Sequence, residues 1–380
     1  MPTLTTRPPT DTLLLALDLG NTTWTLGFGR GGSAAPPRLR TIPARDLTQL
    51  RAELVTGKQR VGLPADAAVV SCYEAGRDGF WLHRALTALG VANLVVDSAS
   101  IEVTRRARQA KSDRLDTTAL LTKLARHVGG DRDVWSVVHV PSVEDEDRRQ
   151  LHRELWIITR ERTRVVNRIK ALLALHGVVL AARGLPRDLP PASALLTWNG
   201  TPLPPAARAR LEREWTRLTT LRREIRALIA TRRALLAADD PGDPTLPMVR
   251  RLLALRAVGE VSAWIYTTEF FAWRQFRNRR QVGAAAGLCS TRRASGDRQQ
   301  EHGINKAGNR YLRSLAIELA WSWLRRQPQS ALSQWYRRRF AAGGARLRRI
   351  GIVALARKLL VALWRYLETG ILPEGAVLKT

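Results

Sequence analysis

The chain has 380 residues, of which 45% are hydrophobic, and its 62 lysine and arginine residues greatly outnumber its 33 acidic residues. This length and hydrophobic content argue against a disordered or fibrous chain and predict a globular protein of two or three domains with buried cores. The formal net charge of +29 predicts a polyanionic partner, and it favours phosphate-rich nucleic acid over a membrane surface.

The sequence shows neither a membrane span nor a secretion signal. No apolar run approaches the roughly 20 residues that cross a bilayer, and the first residues lack the basic, apolar and small-residue order of a signal peptide. Cys72 and Cys289 are the two cysteines, too few for a disulfide framework or a cysteine zinc site. We therefore expect a cytoplasmic protein that makes no use of a membrane.

Residues 1–141 alternate between predicted strands and helices. Apolar runs bounded by turn residues predict the strands, and longer amphipathic stretches predict the helices. The alternation favours an α/β domain of the ribonuclease-H-like type. In chain order, the predicted strands are 13–19, 24–28, 38–42, 67–74, 92–97 and 134–140, and the predicted helices are 47–54, 79–89 and one that begins near Asp113.

Four acidic residues in this region are candidate metal ligands. Asp113 and Asp116 are three residues apart on a predicted helix and so share one face, while the series from Leu115 to Leu124 is expected to pack the opposite face. An isolated pair of this kind often only complements the helix dipole. Asp18 and Glu74, however, lie within or at the end of apolar strands, where a carboxylate is costly to bury without a partner or a metal. If the four converge, their oxygen atoms suit magnesium or manganese.

Residues 142–246 are predicted to form an antiparallel helical hairpin of the coiled-coil type. It comprises a helix at 143–175, a linker rich in proline and leucine at 184–205, and a second helix at 206–237. The first helix carries many basic residues, which either form a solvated face or contact phosphate groups. The candidates for nucleic-acid contact are Arg162, Arg164, Arg168 and Lys170.

Residues 247–380 are predicted to form a mainly α-helical domain. Residues 252–263 resemble two helices joined by a tight turn, and two polar, basic segments follow at 287–298 and 303–313. Ser295 lies in the first segment without a histidine base beside it in the sequence. A serine in such a loop is commonly structural, but surrounding positive charge would favour phosphoryl transfer over acyl transfer. The basic residues concerned are Arg292, Arg293, Arg298, Lys306 and Arg310.

Short motifs that are weak individually occur together in a specific order. They include Tyr-Glu-Ala-Gly at 73–76, Lys-Ser-Asp-Arg-Leu-Asp at 111–116, and Ala-Ser-Gly at 294–296. The others are Asn-Arg-Ile-Lys at 167–170 with His-Gly at 176–177, Gly-Ala-Ala-Ala-Gly-Leu at 283–288, and the segment 303–313. Over about residues 13–324, the chain resembles the DEDD transposases of insertion sequences. It is similar to the subgroup that acts as bridge-RNA-guided recombinases.

The resemblance implies a RuvC-like domain in which Asp18, Glu74, Asp113 and Asp116 form an acidic tetrad that binds magnesium. It implies that Ser295 is a nucleophile in the carboxy-terminal transposase domain. The serine would attack a DNA phosphate and become covalently linked to it, while the tetrad acts on the same phosphate across protomers. The implied partners are donor and target DNA, a structured guide RNA, and further copies of the chain in a dimer or tetramer.

Three departures from the family pattern are visible. Asn21-Thr22-Thr23 follows the first acid where Ser-Lys is more usual, and Arg256-Ala257 stands where Pro-Gly is common. Ala294 replaces the first serine of a common Ser-Ser-Gly, which makes Ser295 the natural match for the nucleophile and Ser290 a poor second. None of these departures removes a predicted catalytic group.

Three other functional classes are compatible with parts of the sequence. A RuvC-like structure-specific nuclease would use the same acids with water as the nucleophile. A nucleic-acid-binding protein with a decayed site is a second possibility, although the intact set of four acids argues against it. The stretch Leu-Asp-Leu-Gly-Asn-Thr-Thr at 17–23 could also begin a sugar kinase or actin-like ATPase, but the later motifs do not fit that class.

Overall fold

The computed structural model divides the chain into two compact units, residues 1–141 and 142–380, called here the amino-terminal and carboxy-terminal units. No helix in the described part of the chain is long and apolar enough to cross a membrane. The structure describes residues 10–33, 35–101, 113–180, 184–238, 240, 242–295, 298–304 and 309–379.

The amino-terminal unit contains a five-stranded mixed sheet, which confirms the predicted α/β class. The strand order is β3-β2-β1-β4-β5. The first three strands are antiparallel neighbours, whereas β4 runs parallel to β1 and β5 runs parallel to β4. The strands are β1 Thr12–Leu19, β2 Thr23–Arg30, β3 Arg38–Pro43, β4 Ala68–Glu74 and β5 Ala92–Val96, and the helices are α1 Leu47–Arg60, α2 Trp81–Ala88 and α3 Asp113–Val128.

Side chains of β1 alternate between two cores on opposite faces of the sheet. Leu13, Leu15 and Leu17 pack in one core with residues of α1 and α2. Leu14 and Ala16 pack in the other core with residues of α3. This period of two is the expected consequence of the pleated strand, and it explains why β1 reads as a nearly continuous apolar run.

Helix α3 lies very close to β2 because two glycines leave room for it. A Cβ atom at Gly27 would lie 2.8 Å from Cγ2 of Thr117, and one at Gly29 would lie 3.3 Å from Cδ2 of Leu121. Larger side chains at these positions would push the helix away from the sheet. The two glycines therefore help to set the height of α3 above the strand ends.

The buried face of α3 differs from the one predicted. Its buried residues include Thr117, Leu120, Leu121 and Leu124, whereas Leu115 is 46% exposed. These four follow the i, i+3, i+4, i+7 spacing of an amphipathic helix, and Leu115 lies outside that stripe. Asp116 is one turn before Leu120, so it lies at the edge of the buried face and not opposite to it.

The strand predicted at 134–140 forms only an isolated bridge between Val137 and Val96. Val134 and Trp135 are consecutive residues, yet both are buried in the core beside α3. Two successive buried side chains break the alternation that a strand in this sheet would need. The sequence correctly indicated that apolar residues of this segment are buried. The prediction that they form a strand was wrong.

The long helix predicted at 143–175 is divided into α4 Val143–Asp147 and α5 Gln150–Leu175. Nε of Arg149 donates a hydrogen bond to the carbonyl of Asp145 at 2.9 Å, while the amide of Arg149 bonds to the carbonyl of Glu146 at 3.3 Å. In a continuous α-helix, the carbonyl of Asp145 would accept its hydrogen bond from the amide of Arg149. Here it accepts one from the side chain of Arg149 instead. This exchange explains the break between the two helices.

Helix α5 packs against α6 Pro205–Ala237, and together they form the helical hairpin of the carboxy-terminal unit. Apolar side chains from both helices, including Ile169 and Trp215, share one core. Within the hairpin, Glu214 accepts hydrogen bonds from Nη2 of Arg168 at 2.9 Å and Nη1 of Arg217 at 2.8 Å. The contact between Arg168 and Glu214 therefore ties the two helices together beside their shared apolar core.

The rest of the carboxy-terminal unit is mainly helical, as predicted, with one addition. The basic segment around Ser295, predicted to lie between helices, forms a two-stranded antiparallel hairpin. Its strands, Ser-Thr-Arg-Arg-Ala-Ser and Arg-Gln-Gln-Glu-His-Gly-Ile, lack the apolar alternation that identifies a half-buried strand. The elements are α7 Thr245–Ala254, α8 Glu260–Ile265, a π-helical segment Tyr266–Phe271, α9 Arg279–Ala285, β6 Ser290–Ser295, β7 Arg298–Ile304, α10 Arg310–Arg326, α11 Ala331–Tyr336, a π-helical segment Arg337–Ala341 and α12 Ala345–Thr369.

The predicted pair of helices joined by a tight turn is present as α7 and α8. Ala257 in this turn has a φ of 88°, a conformation that favours glycine and costs an alanine about 1–2 kcal/mol. The turn is held from outside, because the carbonyl of Ala257 accepts a bond from Ser322 Oγ at 3.1 Å and that of Arg256 accepts one from Gln327 Nε2 at 2.7 Å. These bonds explain how the turn tolerates Arg-Ala in place of Pro-Gly.

A buried ionic cluster joins α5 to the π-helical segment 266–271. Oε1 of Glu269 lies 2.9 Å from Nε2 of His152 and 2.6 Å from Nε of Arg153, and Oε2 lies 2.9 Å from Nη2 of Arg153. Burial alone would raise the pKa of Glu269, but the hydrogen bonds from His152 and Arg153 outweigh it and lower the pKa to about 2. The carboxylate therefore stays ionised and holds α5 to the helical core.

We expect Glu269→Gln to lower the free energy of unfolding of the carboxy-terminal unit by about 3 kcal/mol at pH 7, because it removes one partner of a buried ionic cluster. Glu212→Gln is the matched control, since Glu212 pairs with Arg208 on the surface and should contribute less than about 1 kcal/mol. Chemical denaturation measures both. Equal effects of the two substitutions would contradict the assignment.

The same cluster predicts how stability depends on pH. The folded pKa of Glu269, about 2, lies below its ordinary value of 4.5. Its contribution is therefore fully present above the unfolded value and is lost as the pH falls through the folded value. Denaturation curves between pH 5 and pH 2 should show a smaller loss of stability in Glu269→Gln than in the wild-type chain.

Candidate active site

Three of the four predicted acidic ligands line one cavity in the amino-terminal unit. Asp18, Glu74 and Asp116 border a cavity of about 400 Å³. In the parallel pair β1 and β4, Leu17 is opposite Tyr73, so the next residues, Asp18 and Glu74, lie side by side at the carboxyl ends of the strands. The carboxyl edge of parallel strands is where ligands commonly bind in open α/β sheets.

The alternation of the strands places both carboxylates on the face covered by α3. Asp18 lies two residues after Ala16, and Glu74 lies two residues after Cys72, and both preceding residues pack against α3. Asp116 comes from the first turn of α3 itself. Leu120, one turn later, is buried against the sheet and also lines the cavity. Residues far apart in sequence are therefore brought together by the packing of one helix on one sheet.

The fourth predicted ligand, Asp113, begins α3, but its side chain is outside the part of the chain that the structure describes. Among the described side chains, no group of three His, Cys, Asp or Glu residues is arranged to hold a metal ion. The donor chemistry of the cavity nevertheless fits magnesium or manganese, which prefer carboxylate oxygen. A complete ligand set would draw on Asp113 or on a closer approach of the other three acids.

The nearby thiol of Cys72 does not contribute to this chemistry. Complete burial, and secondly the charge of Glu74, raises the pKa of Cys72 far above its ordinary value. The thiol therefore remains protonated at neutral pH and is neither a nucleophile nor a metal ligand. The candidate metal-binding groups of the cavity are therefore its carboxylates.

The loop after β4 adds Arg77 and Asp78 to the cavity lining, and the sequence-based prediction missed both. Asp78 has a side chain that is only 7% exposed, and it lies 3.3 Å from Arg45 and 3.4 Å from Arg77. In the sequence, the one feature that points to these two residues is their position directly after the Tyr-Glu-Ala-Gly motif that ends at Gly76. A charged pair in a glycine-bounded loop is too common to be singled out without the fold.

Ser295, the predicted nucleophile, ends strand β6 and is opposite Arg298, the first residue of β7. The side chain of Ser295 is outside the described side chains, as are those of Arg292, Arg293 and Arg298. The backbone thus places Ser295 at the tip of a two-stranded hairpin that also carries these three arginines. Lys306 lies outside the described residues, whereas Arg310 is exposed at the start of α10.

The predicted nucleic-acid-binding residues of α5 differ in their surroundings. Arg164 and Lys170 are exposed, Arg162 is partly buried, and Arg168 is bonded to Glu214. The hydrogen bond from Arg168 is the main cause that lowers the pKa of Glu214, so the pair is a charged one at neutral pH. Arg168 therefore has a role in hairpin packing, and Arg164 and Lys170 are the better placed for contact with phosphate groups.

Comparison with known proteins gives a consistent result. Residues 249–337, which include the β6–β7 hairpin, match the profile of the IS116/IS110/IS902 transposase family. A protein of Sinorhizobium fredii described as a transposase is 40% identical over 379 residues, covering 97% of this chain and 95% of the relative. A family 20 transposase of Pseudomonas aeruginosa is 29% identical over 233 residues, covering 61% and 66% of the two chains. The transposase for insertion sequence element IS1328 of Yersinia enterocolitica is 26% identical over 199 residues, covering 51% and 56%.

Proposed function

Since this chain belongs to the IS116/IS110/IS902 family of insertion-sequence transposases, we propose that it cuts and rejoins DNA strands by phosphoryl transfer, using an acidic metal site and a serine nucleophile. The observation that carries the proposal is the convergence of Asp18, Glu74 and Asp116 on one cavity. Three separate elements supply them. An accessible sheet edge that carries several carboxylates suits a hydrated phosphate group better than a small apolar substrate.

The sheet supports the further proposal that the amino-terminal unit is RuvC-like. Three antiparallel strands precede two parallel ones, and the acids lie at the ends of β1 and β4 and on α3. In this proposal Asp18, Glu74, Asp113 and Asp116 hold magnesium or manganese, which would polarise a phosphate oxygen and stabilise the charge that develops during transfer. By holding the metal ion, the carboxylates would set the place at which the reacting phosphate binds.

Ser295 supplies the nucleophile in this proposal. Its Oγ attacks phosphorus and gives up a proton to solvent or a nearby base, while the bond from phosphorus to the leaving deoxyribose oxygen breaks and that oxygen takes a proton. The energy of the phosphodiester is kept in the phosphoserine bond, so the hydroxyl of another strand can reverse the step and rejoin DNA. The family match over residues 249–337 and the basic composition of the β6–β7 hairpin support this role.

The direct test is strand cleavage of DNA that carries the ends of the element. We expect cleavage with magnesium, loss of cleavage when EDTA removes divalent ions, and recovery when magnesium or manganese is added back. Calcium should bind without supporting cleavage at a comparable rate, because its ligand geometry is looser. Cleavage that continues unchanged in EDTA would refute the metal-dependent mechanism.

The charge of the chain supports phosphate contacts as the main source of DNA affinity. With a net charge of +29, the exposed face of α5 and the β6–β7 hairpin are the surfaces we assign to nucleic acid. Affinity should fall by about 10³ to 10⁵ between 50 and 200 mM salt if six to ten phosphates are contacted, because bound counterions are released on association. Fluorescence anisotropy over a salt series measures this slope, and a flat response would contradict the assignment.

We also propose that a structured guide RNA selects the DNA target and that the chain acts as a dimer or tetramer. The large positive charge supports a second nucleic-acid partner, and the resemblance to bridge-RNA-guided recombinases supports its identity. RNA recovered from the purified protein should be one defined species. Recovery of random fragments alone would favour a target that the protein reads by itself.

One alternative function is supported by a specific observation. The acidic cavity lies entirely within the amino-terminal unit, as a RuvC-like nuclease that uses water as its nucleophile would require. Such an enzyme would need the acids but not Ser295. The behaviour of the serine variant therefore separates the two functions.

A further inference from the structure

The acidic cavity is also lined by a cationic side chain, that of Arg77, which the proposed metal site does not use. The described residues that line the cavity include four carboxylates, and Arg77 is the one cation among them, so the lining has a formal excess of three negative charges. A DNA phosphate is also negative, and a divalent metal ion would offset only part of this repulsion. Positive charge beside the acids would therefore favour the approach of a DNA strand.

We infer that Arg77 binds a phosphate of the DNA strand that enters the acidic cavity, and that Asp78 positions Arg77 for this contact. The inference rests on the proposed function, because it assigns a new residue to the same DNA site. Arg77 has a side chain that is 53% exposed while still lining the cavity. Its guanidinium can thus reach a ligand from the edge of the site without first being uncovered.

The loop that carries Arg77 is braced at both ends. Buried Tyr73 donates its hydroxyl hydrogen bond to the carbonyl of Gly79 at 3.0 Å, and the amide of Gly79 bonds to the carbonyl of Gly76 at 3.3 Å. Gly79 has a φ of 65°, which a glycine adopts without strain. The amide of Ala75 bonds to the carbonyl of Val96 at 2.7 Å and ties the start of the loop to β5. A loop held in this way presents Arg77 at a fixed place.

Asp78 has a different environment from the other acids of the cavity. Its Oδ1 lies 3.3 Å from Nη2 of Arg45, and its Oδ2 lies 3.4 Å from Nη2 of Arg77. Each oxygen thus faces an arginine, and the side chain is almost fully buried. We therefore assign Asp78 to positioning and not to metal binding. Arg45 has a φ of 68°, an uncommon conformation for arginine, and it approaches Asp78 from the turn before α1.

Arginine suits this role for a chemical reason. Its planar guanidinium presents several donors in a fixed geometry, so one edge can contact Asp78 while another contacts two oxygens of a phosphate. Lysine would keep the charge but lose this two-sided geometry. The inference therefore predicts that charge alone will not fully replace Arg77.

The test is single-turnover cleavage of DNA at saturating protein concentration, where differences in overall affinity no longer affect the rate. Arg77→Ala should cleave bound DNA about 10- to 100-fold more slowly than the wild-type chain, and Arg77→Lys should recover only part of the rate. Arg51→Ala is the matched control, since Arg51 is an exposed arginine on α1, which packs on the opposite face of the sheet. We expect that control to stay within about twofold of wild type.

The positioning role of Asp78 has a separate readout. Asp78→Asn should slow cleavage less than Arg77→Ala. The double variant should be no slower than Arg77→Ala alone, because Asp78 acts only through Arg77. Multiplicative effects in the double variant would overturn the positioning role. Circular dichroism and thermal unfolding should show that all these variants keep the fold.

The outcomes also separate this inference from the proposed function. If Arg77→Ala cleaves as fast as Arg51→Ala while Asp116→Asn is inactive, the phosphate contact is wrong and the metal site stands. If Asp116→Asn remains active, the proposed function itself fails. A slow Arg77→Ala, a near-normal Arg51→Ala and an inactive Asp116→Asn together are the result that we expect.

Discussion

Asp116→Asn should reduce DNA strand cleavage by about 1,000-fold or more while the protein remains folded. The substitution keeps the size of the side chain but removes the negative charge that a divalent ion needs in the cavity shared with Asp18 and Glu74. A catalytic metal supplies several kcal/mol of transition-state stabilisation, and each 1.36 kcal/mol lost costs tenfold in rate. Asp116 is exposed, so the change creates no buried defect.

The matched control for this prediction is Asp66→Asn. Asp66 is an exposed aspartate in the turn before β4, at the opposite end of that strand from Glu74. The control loses the same charge from the same unit and should cleave DNA at the wild-type rate. Comparing single-turnover rates of the two variants tests the site, and a wild-type rate in Asp116→Asn would show that the cavity is not the metal site.

Ser295→Ala should reduce strand cleavage by about 10⁴-fold or more, an effect on the scale of removing a catalytic serine from other enzymes. Water could replace the hydroxyl only poorly if the site is arranged for attack by Oγ. The residue is at the end of β6, so loss of one side-chain oxygen atom should leave the backbone pairing with Arg298 unchanged.

Ser290→Ala is the control for the serine prediction. Ser290 begins the same strand and is exposed, and it is the weaker match to the nucleophile. If Ser290→Ala loses cleavage and Ser295→Ala does not, the nucleophile has been misassigned within the hairpin. If both variants cleave DNA normally while Asp116→Asn is inactive, the enzyme uses water and the nuclease function is the correct one.

The sequence was most informative where an apolar run of strand length contained or preceded an acidic residue. The apolar run of β1 predicted a strand in a covered sheet, and an aspartate inside that run indicated a functional carboxylate at position 18. Glu74 was predicted by the same argument, because it directly follows the buried residues of β4. These inferences depend on the cost of placing a charge beside apolar residues, which is visible in sequence alone.

Other features depend on individual side-chain contacts or on strand pairing without an apolar pattern, and they were therefore not predicted. The break between α4 and α5 follows from the side chain of Arg149 taking the acceptor of its own backbone amide, which no helix propensity describes. Strands β6 and β7 are polar and basic, so their pairing has no apolar pattern to reveal it. The place of Arg77 in the cavity depends on Tyr73 and Asp78, whose contacts exist only after the loop has folded.

The most direct test of the mechanism is to trap the reaction on DNA whose rejoining step is slow, digest the protein, and identify the modified peptide by mass spectrometry. We predict a nucleotide joined to the peptide that contains Ser295, present in the wild-type protein and absent from Ser295→Ala and from Asp18→Asn. Loss of the adduct in Asp18→Asn would show that the acidic site and the serine act on the same phosphate. An adduct on Ser290, or complete DNA cleavage with no adduct on any peptide, would contradict the mechanism.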